Sequence, residues 1–411
     1  MADDSVSKSR RTPQPASRPA SQDESRRRAL GGAGVFKKAG VAIATFAVLW
    51  LLGSVQSLAQ NAYITNSGSY TVSVIDTTTN AVTATIPLLV EGDPYGVAVS
   101  PDGSKVYVAD RVYDTVFVID TATNSVSATI PVGRLPFGIA VSPDGSRVYV
   151  VNLAGESISV IDATSNTVAT TIALPEGITP TGLAVSPDGS KVYLAVPSTS
   201  AVWVIDAATN SISAAIPGFN FPLGVAVSPD GSKVYVTNDA DTSVSVIDAA
   251  TNSVSATIPV GTAPFGVAVS PDGGRVYIGN NRDNNVSVID AASNTVVATI
   301  PVGIHPVGID VTPDGSKVYV ANETFPGSVS VIDAKKNTVD GTVAVGTNPD
   351  AFGIFIQPGL RFAGTPGKAN CHSQSVSALA KQYGGLNNAA AALGYASVNA
   401  LQGAIQEFCA A

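Results

Sequence analysis

Histidine, methionine, tryptophan and cysteine are nearly missing from this chain: its 411 residues include two His, one Met, two Trp and two Cys. A haem or zinc site generally needs more than one good ligand. His305 is the only histidine in the repeated region described below, and no cysteine stands there to join it. His305 alone reads as a surface or packing residue, and neither a cofactor nor a metal is expected. No glycine-rich phosphate loop stands between a strand and a helix, and no G-x-S-x-G elbow occurs. No EF-hand pattern supports calcium at Asp239, Asp241 and Asp283. Charge is sparse, at 13% of residues.

What is present favours strands joined by tight turns. Val, Thr, Ser, Gly and Pro are abundant, and 45% of residues are hydrophobic, enough for a core. Residues 1–59 hold nine Lys/Arg and four Asp/Glu. The remaining chain holds fourteen basic against twenty-seven acidic residues, a formal charge of −13. Such a body repels phosphate backbones and anionic lipid, so nucleic acid and membrane surfaces are not expected as partners.

Residues 39–52 are fourteen uncharged, mostly apolar residues, preceded by Lys37 and Lys38 and followed by Ser57-Leu58-Ala59. This is the pattern of a secretory signal cleaved between Ala59 and Gln60, giving a periplasmic or secreted product with no stable membrane insertion. The run is short for a bilayer span; an uncleaved anchor reaching Leu58 is the alternative. Residues 1–36, rich in Ser, Pro and Arg, read as a disordered leader. Initiation at Val35 would leave a compact signal.

Self-similarity dominates residues 62–358. Val-Ile-Asp recurs seven times, ending at Asp76, Asp120, Asp162, Asp206, Asp248, Asp290 and Asp333, with spacings of 42 to 44 residues. Pro-Asp-Gly recurs six times, from Pro101 to Pro313, with a decayed seventh copy at Gln357-Pro358-Gly359. A tyrosine opens the second strand of every unit, from Tyr63 to Tyr319. In one unit the alternation predicts strands over 266–270, 275–279, 286–289 and 295–300. Ser270-Pro271-Asp272-Gly273 and the segment 290–294 supply the turns. Four-stranded units repeated seven times at this period predict an all-β, seven-bladed propeller, since one blade cannot bury both faces alone. A glycine begins each innermost strand, where backbones crowd around the axis: Gly96, Gly138, Gly182, Gly224, Gly266, Gly308 and Gly353. The chain enters in a second strand at Tyr63, so 352–357 is expected to return as the missing inner strand of a shared N/C-terminal closing blade, removing open edges.

Tyr235-Val236-Thr237-Asn238, with the close variants at Tyr63 and Tyr319 and the S-P-D-G and V-I-D elements, resembles the YVTN family of bacterial and archaeal propeller repeats over 62–358. The resemblance implies an exported propeller. Relatives of that family include surface-layer proteins, and similar propellers occur in lactonases and in haem-binding nitrite reductase domains. It does not specify an activity, because propellers host many.

Three parts are therefore expected: 1–59 as leader and signal, 60–360 as propeller, and 361–411 as a small helical C-terminal module. The module has Ala-rich, helix-like segments at 375–382, 386–393 and 397–408, bracketed by Cys371 and Cys409. In an exported protein this pair reads as a disulfide, which a module too small for its own core needs.

The recurrent aspartates tempt one towards carboxylate catalysis, but their place in hairpin turns is explained by local hydrogen bonding. The connections differ in a more useful way. Turns joining strands one to two and three to four hardly vary, whereas the corners joining two to three, and four to the next blade, vary strongly. Both variable sets lie on one face. Variable loops on a rigid scaffold are where binding usually resides; drift on an unconstrained surface is the alternative. The candidates are Arg111, Tyr113, Asp114, Arg134, Asp239, Asp241, Arg282, Asp283, His305, Glu323 and Phe325. The connections between blades also carry the aromatics Tyr95, Phe137, Phe219, Phe221 and Phe265, and those beside the inner glycines either join the candidates or plug the channel. A monomeric binding or scaffold module, engaging a protein, a glycan or another envelope component, is favoured over an enzyme, and no catalytic residue is assigned. The alternative is a lactonase-like hydrolase at the central channel. Only His305, Asp93 and Asp350 stand near enough, and their places in the ring are read as opposed.

Overall fold

The computed structural model describes residues 60–89, 91–358, 376, 386 and 397–410. Six antiparallel four-stranded sheets follow one another along the chain, and a three-stranded sheet formed by its first strands completes seven. We number as blades one to six the sheets beginning at Pro94, Pro136, Leu183, Pro222, Pro264 and Pro306. The closing blade is Asn61–Asn66, Thr71–Asp76 and Ala81–Pro87. In blade five the strands are Pro264–Val269, Arg275–Asn280, Asn285–Asp290 and Thr295–Pro301, each within two residues of its predicted start.

Turn chemistry sets this regularity. In blade five the Gly273 amide donates to the Ser270 carbonyl, and Gly273 takes a φ of 73°, which glycine adopts without penalty. Asp272 accepts from the Ser270 hydroxyl at 2.6 Å and from the Gly274 amide. At the second hairpin, Asp290 accepts from the Ala292 and Ser293 amides, and Asn294 occupies the left-handed region.

Blades then pack face to face. The seven repeat tyrosines are at most 2% exposed. Tyr319 and Tyr63 donate their hydroxyls to Asn80 and Asn124, in the second hairpin of the following blade. Lys105, Lys191, Lys233 and Lys317 bond the backbone of the next blade's same hairpin. Near the axis, a Cβ on Gly266 would stand 2.2 Å from the Val307 carbonyl oxygen, and one on Gly96 2.1 Å from that of Phe137. The contact recurs around the ring to Gly353 against Val97. The inner glycines therefore permit backbone to meet backbone between blades.

Ring closure occurs where expected, by a different construction. Instead of one continuous strand, the segment 352–357 divides itself between two neighbours. Phe352 and Ile354 carbonyls accept from Val97 and Val99 of blade one, while Phe355 and Gln357 bond Tyr63 and Asn61 of the closing blade. Asp310, on the inner strand of blade six, accepts from the Phe355 and Ile356 amides at 2.9 and 2.8 Å. The other intact inner strands carry alanine there, for example Ala98, Ala140 and Ala268.

Blade three departs most from the repeat, with Val196 where most other blades carry the motif Asn. Its inner strand is only Leu183–Val185, and a short 3-10 turn, Pro197–Thr199, follows Val196. Trp203 packs in an enlarged apolar cluster with Leu174 and Ile178.

Of the C-terminal segments, the third is the helix Val398–Ala410, with Leu401 and Ile405 fully buried. The other two lie outside the described residues except for Val376 and Leu386, both helical. The Cys371–Cys409 pairing and the signal segment also lie outside them. Among the described residues, no helix is long and apolar enough to cross a membrane.

Candidate functional site

The variable face is built on one recurring corner. The last residue of the second strand is buried in every blade, and in five of the seven it is the Asn of the repeat motif: Asn66, Asn152, Asn238, Asn280 and Asn322. Asn152 donates to Ser157 and Ser159, and Asn238 to Ser243 and Ser245, all at 3.0 Å. In blades four and five the incoming connection bonds this Asn: the Gly261 amide donates to Asn280 Oδ1 at 3.1 Å, and the Asn220 amide to Asn238 Oδ1. There the motif Asn latches the two variable connections together, whereas Asn66, Asn152 and Asn322 meet the incoming connection only by packing against Gly346, Gly133 and Gly303. In blade one the latch is Asp110, which accepts from the Asp93, Val112 and Tyr113 amides; burial raises its pKa above the ordinary carboxylate value.

At the axis on this face, aromatic rings fill the channel. Tyr95, Phe137, Val307 and Phe352 form one buried cluster, with Phe265 against it. Ring centroids lie 4.5 Å apart for Tyr95–Phe137 and 5.4 Å for Phe265–Phe352. The Arg111 guanidinium lies 4.0 Å above the Tyr95 ring and pairs with Asp93 at 2.7 Å. Arg111 is therefore largely engaged within the protein. Asp350 sits in the same electrostatic neighbourhood and is 1% exposed, with Oδ2 lacking a hydrogen-bond partner. Burial pushes its pKa up to about 8; Glu323 and Asp93 act in the same direction, against Ser67 and Arg111.

This corrects the view of Asp93, Asp350 and His305 as opposed in the ring. They enter blade one, the closing blade and blade six, three consecutive positions, and Asp93 and Asp350 share one electrostatic neighbourhood. His305 stays exposed with φ of 51°, the same left-handed place before proline that Leu135, Phe221 and Ala263 occupy. Among the described residues, no group of three or more His, Cys, Asp or Glu is placed to hold a metal ion.

On the other side of the ring, blades four and five form an open groove of about 510 Å³. Phe221, Asp239, Ala240, Asp241, Thr242, Thr262 and Arg282 line it. Three of the sequence candidates, Asp239, Asp241 and Arg282, are thereby brought together. Asp239 is half-buried, and burial raises its pKa, with Arg282 acting the opposite way. Asp283 is turned to the backbone, accepting from the Thr262 amide at 2.7 Å.

The other candidates are dispersed. Asp114 accepts from the Leu135 amide at 2.7 Å and serves its corner. Arg134 and Glu323 are exposed, Tyr113 is 42% exposed, and Phe325 is 83% exposed. Phe221, one of the aromatics of the variable blade-to-blade connections though not singled out as a binding candidate, also belongs to the groove; the equivalent turns hold Leu135, Ala263 or His305. Asp310 was also missed, although it alone breaks the alanine pattern of the six intact inner strands.

The hairpin aspartates are structural. Ser hydroxyls and backbone amides hold Asp188 and Asp230 down to about 2, in carboxylates already satisfied by their own turns.

Comparison with known proteins points to the same architecture. Residues 55–172 match the family described as lactonase, 7-bladed beta-propeller, and residues 228–350 match the cytochrome D1 heme domain. No curated protein matches the chain. Among solved structures, Kuenenia stuttgartiensis hydrazine synthase is 26% identical, with TM-score 0.61, covering 66% of this chain and 91% of that one. A functionally unknown protein from Desulfotomaculum acetoxidans is 18% identical, with TM-score 0.62, covering 70% and 98%. The dihydro-heme d1 dehydrogenase NirN, in complex with DHE, is 17% identical, with TM-score 0.55, covering 71% and 74%. The latter two likenesses concern the fold alone. With seven stacked sheets and a ring closed by its own two ends, the chain is a seven-bladed β-propeller.

Proposed function

We propose that this chain is an exported, monomeric binding propeller of the YVTN-repeat kind, engaging an envelope component through its variable loop face. The observation that carries this reading is the groove between blades four and five. There an exposed aromatic, two carboxylates and a guanidinium converge from three connections on a rigid support. Export is supported by the apolar run before Ser57-Leu58-Ala59. The test is retention of the purified full chain on isolated envelope fractions. Replacing Phe221 and Arg282 together by Ala should abolish retention. Lys336→Ala, in a hairpin of the opposite face, should leave it intact. Equal retention of both variants overturns the reading.

One observation favours a second reading, a hydrolase at the channel mouth. The buried Asp350 carboxyl carries an unpartnered oxygen beside Asp93 and Arg111, and the raised pKa suits a general acid. The aromatic plug, which fills the space a substrate would need, weighs against it. Lactone turnover that disappears in Asp350→Asn would establish the second reading.

A further inference from the structure

We infer that the groove between blades four and five is a saccharide site that takes a neutral pyranose ring; this rests on the loop-face reading above and names its ligand. Phe221 is 48% exposed and sits at the left-handed position of its turn, with φ of 54°, so the turn presents the ring at the groove instead of burying it in the axial plug. The C–H face of a pyranose is apolar enough to cover such a ring, and aromatic contact of this kind adds to simple burial. Around Phe221 the groove supplies both hydrogen-bonding signs. Asp239 and Asp241 offer acceptors, Arg282 offers a planar set of donors, and Thr242 and Thr262 offer either.

Two features make these groups available. Among the described residues, no hydrogen bond within the protein engages the Asp239 carboxylate or the Arg282 guanidinium, and neither belongs to an ion pair. Asp239 is nevertheless half-buried, and its raised pKa records lost hydration that a hydroxyl donor would replace. Charge then selects the class. Two carboxylates facing one guanidinium repel an anion, and Arg282 disfavours a cation at Asp239. Vicinal hydroxyls, each both donor and acceptor, satisfy the carboxylate and the guanidinium together. At about 510 Å³ the groove also has the size of an ordinary small-ligand site.

Arg111, another of the arginine candidates, is a contrast within the same molecule. It is closed down by the Tyr95 ring and Asp93, so its corner offers no comparable free donor.

The test uses calorimetry and saturation-transfer NMR on the full chain. The probes are hexamers of β1,4-linked glucose, α1,4-linked glucose and β1,4-linked N-acetylglucosamine, with tetralysine and citrate as charged controls. At least one neutral hexamer should bind, with saturation transfer strongest on its ring C–H protons. Phe221→Ala should weaken binding about tenfold, Asp239→Asn and Arg282→Met should each weaken it measurably, and neither charged probe should compete. Failure of all three hexamers, or binding indifferent to Phe221→Ala, overturns the assignment. So does displacement of a bound hexamer by tetralysine or citrate. Envelope retention is scored separately: retention lost in the Phe221/Arg282 variant but unaffected by free hexamers removes the saccharide assignment and leaves the loop-face reading standing. A hexamer that binds without envelope retention does the reverse.

Discussion

The two faces of this ring use the same residue types for different ends. On the hairpin face, Asp102, Asp144, Asp188, Asp230, Asp272 and Asp314 each accept from a Ser or Thr two residues before them. Six copies give nearly the same answer because every partner lies within the turn. On the loop face, aspartates at equivalent corners diverge. Asp110 latches its own corner, Asp93 holds Arg111, Asp350 is buried without a full set of partners, and Asp239 stands half-buried in an open groove. A repeat fixes what is solved locally. Where neighbours come from different connections, each copy is free to differ, and that is where this molecule carries its individuality.

The comparison breaks most severely at the axis that both faces share. Gly266→Ala places a Cβ 2.2 Å from the Val307 carbonyl, a clash with backbone that only a shift between blades five and six relieves. A loss of about 3 kcal/mol is expected in denaturant unfolding. Gly341→Ala, on the outer strand of blade six with nothing within 4 Å of the added carbon, should be neutral or stabilise by about 0.5 kcal/mol. If the two cost the same, crowding at the axis is not what the inner glycines answer.

Closure comes next. Asp310→Ala leaves the Phe355 and Ile356 amides without their acceptor, for an expected cost of about 2 kcal/mol. This variant also reports on pH. Burial pushes the Asp310 pKa up to about 7, against three backbone amides, whereas in the unfolded chain the carboxyl has its ordinary value near 3.8. The folded protein therefore keeps a proton that the unfolded chain releases. This contribution is fully present below about pH 4 and is lost progressively as pH rises to about 7. Asp310→Ala should consequently be more damaging at pH 5 than at pH 8, as read by urea midpoints at the two values. A cost that grows with pH would mean that the carboxylate, not the acid, is the stable latch.

The smallest effect separates the two arginines. Arg111→Ala removes the contact with Tyr95 and the pair with Asp93, and should destabilise by about 1 kcal/mol. Arg282→Ala, on an exposed side chain at the groove, should stay within about 0.5 kcal/mol. Thermal unfolding of the two variants side by side distinguishes an arginine that belongs to the scaffold from one that is free for a ligand.

The sequence by itself determined the number of blades, their strands and turns, the buried tyrosines, the glycines at the axis and the place where the first and last segments of the propeller meet. Those features depend on alternation and on contacts within a few residues, such as Ser270 with Asp272, and seven copies repeat the signal. Only the tertiary structure decided which candidates belong together. Arg111 and Tyr113 are near neighbours in sequence, yet one is folded onto the aromatic plug and the other is exposed. Phe221 and Arg282 come from different blades and line the same groove. Asp310 acquires its purpose only from Phe355 and Ile356, about one repeat further along. The physical reason is that ring packing juxtaposes connections from successive blades, and no local propensity encodes which charge will find a partner there and which will remain free.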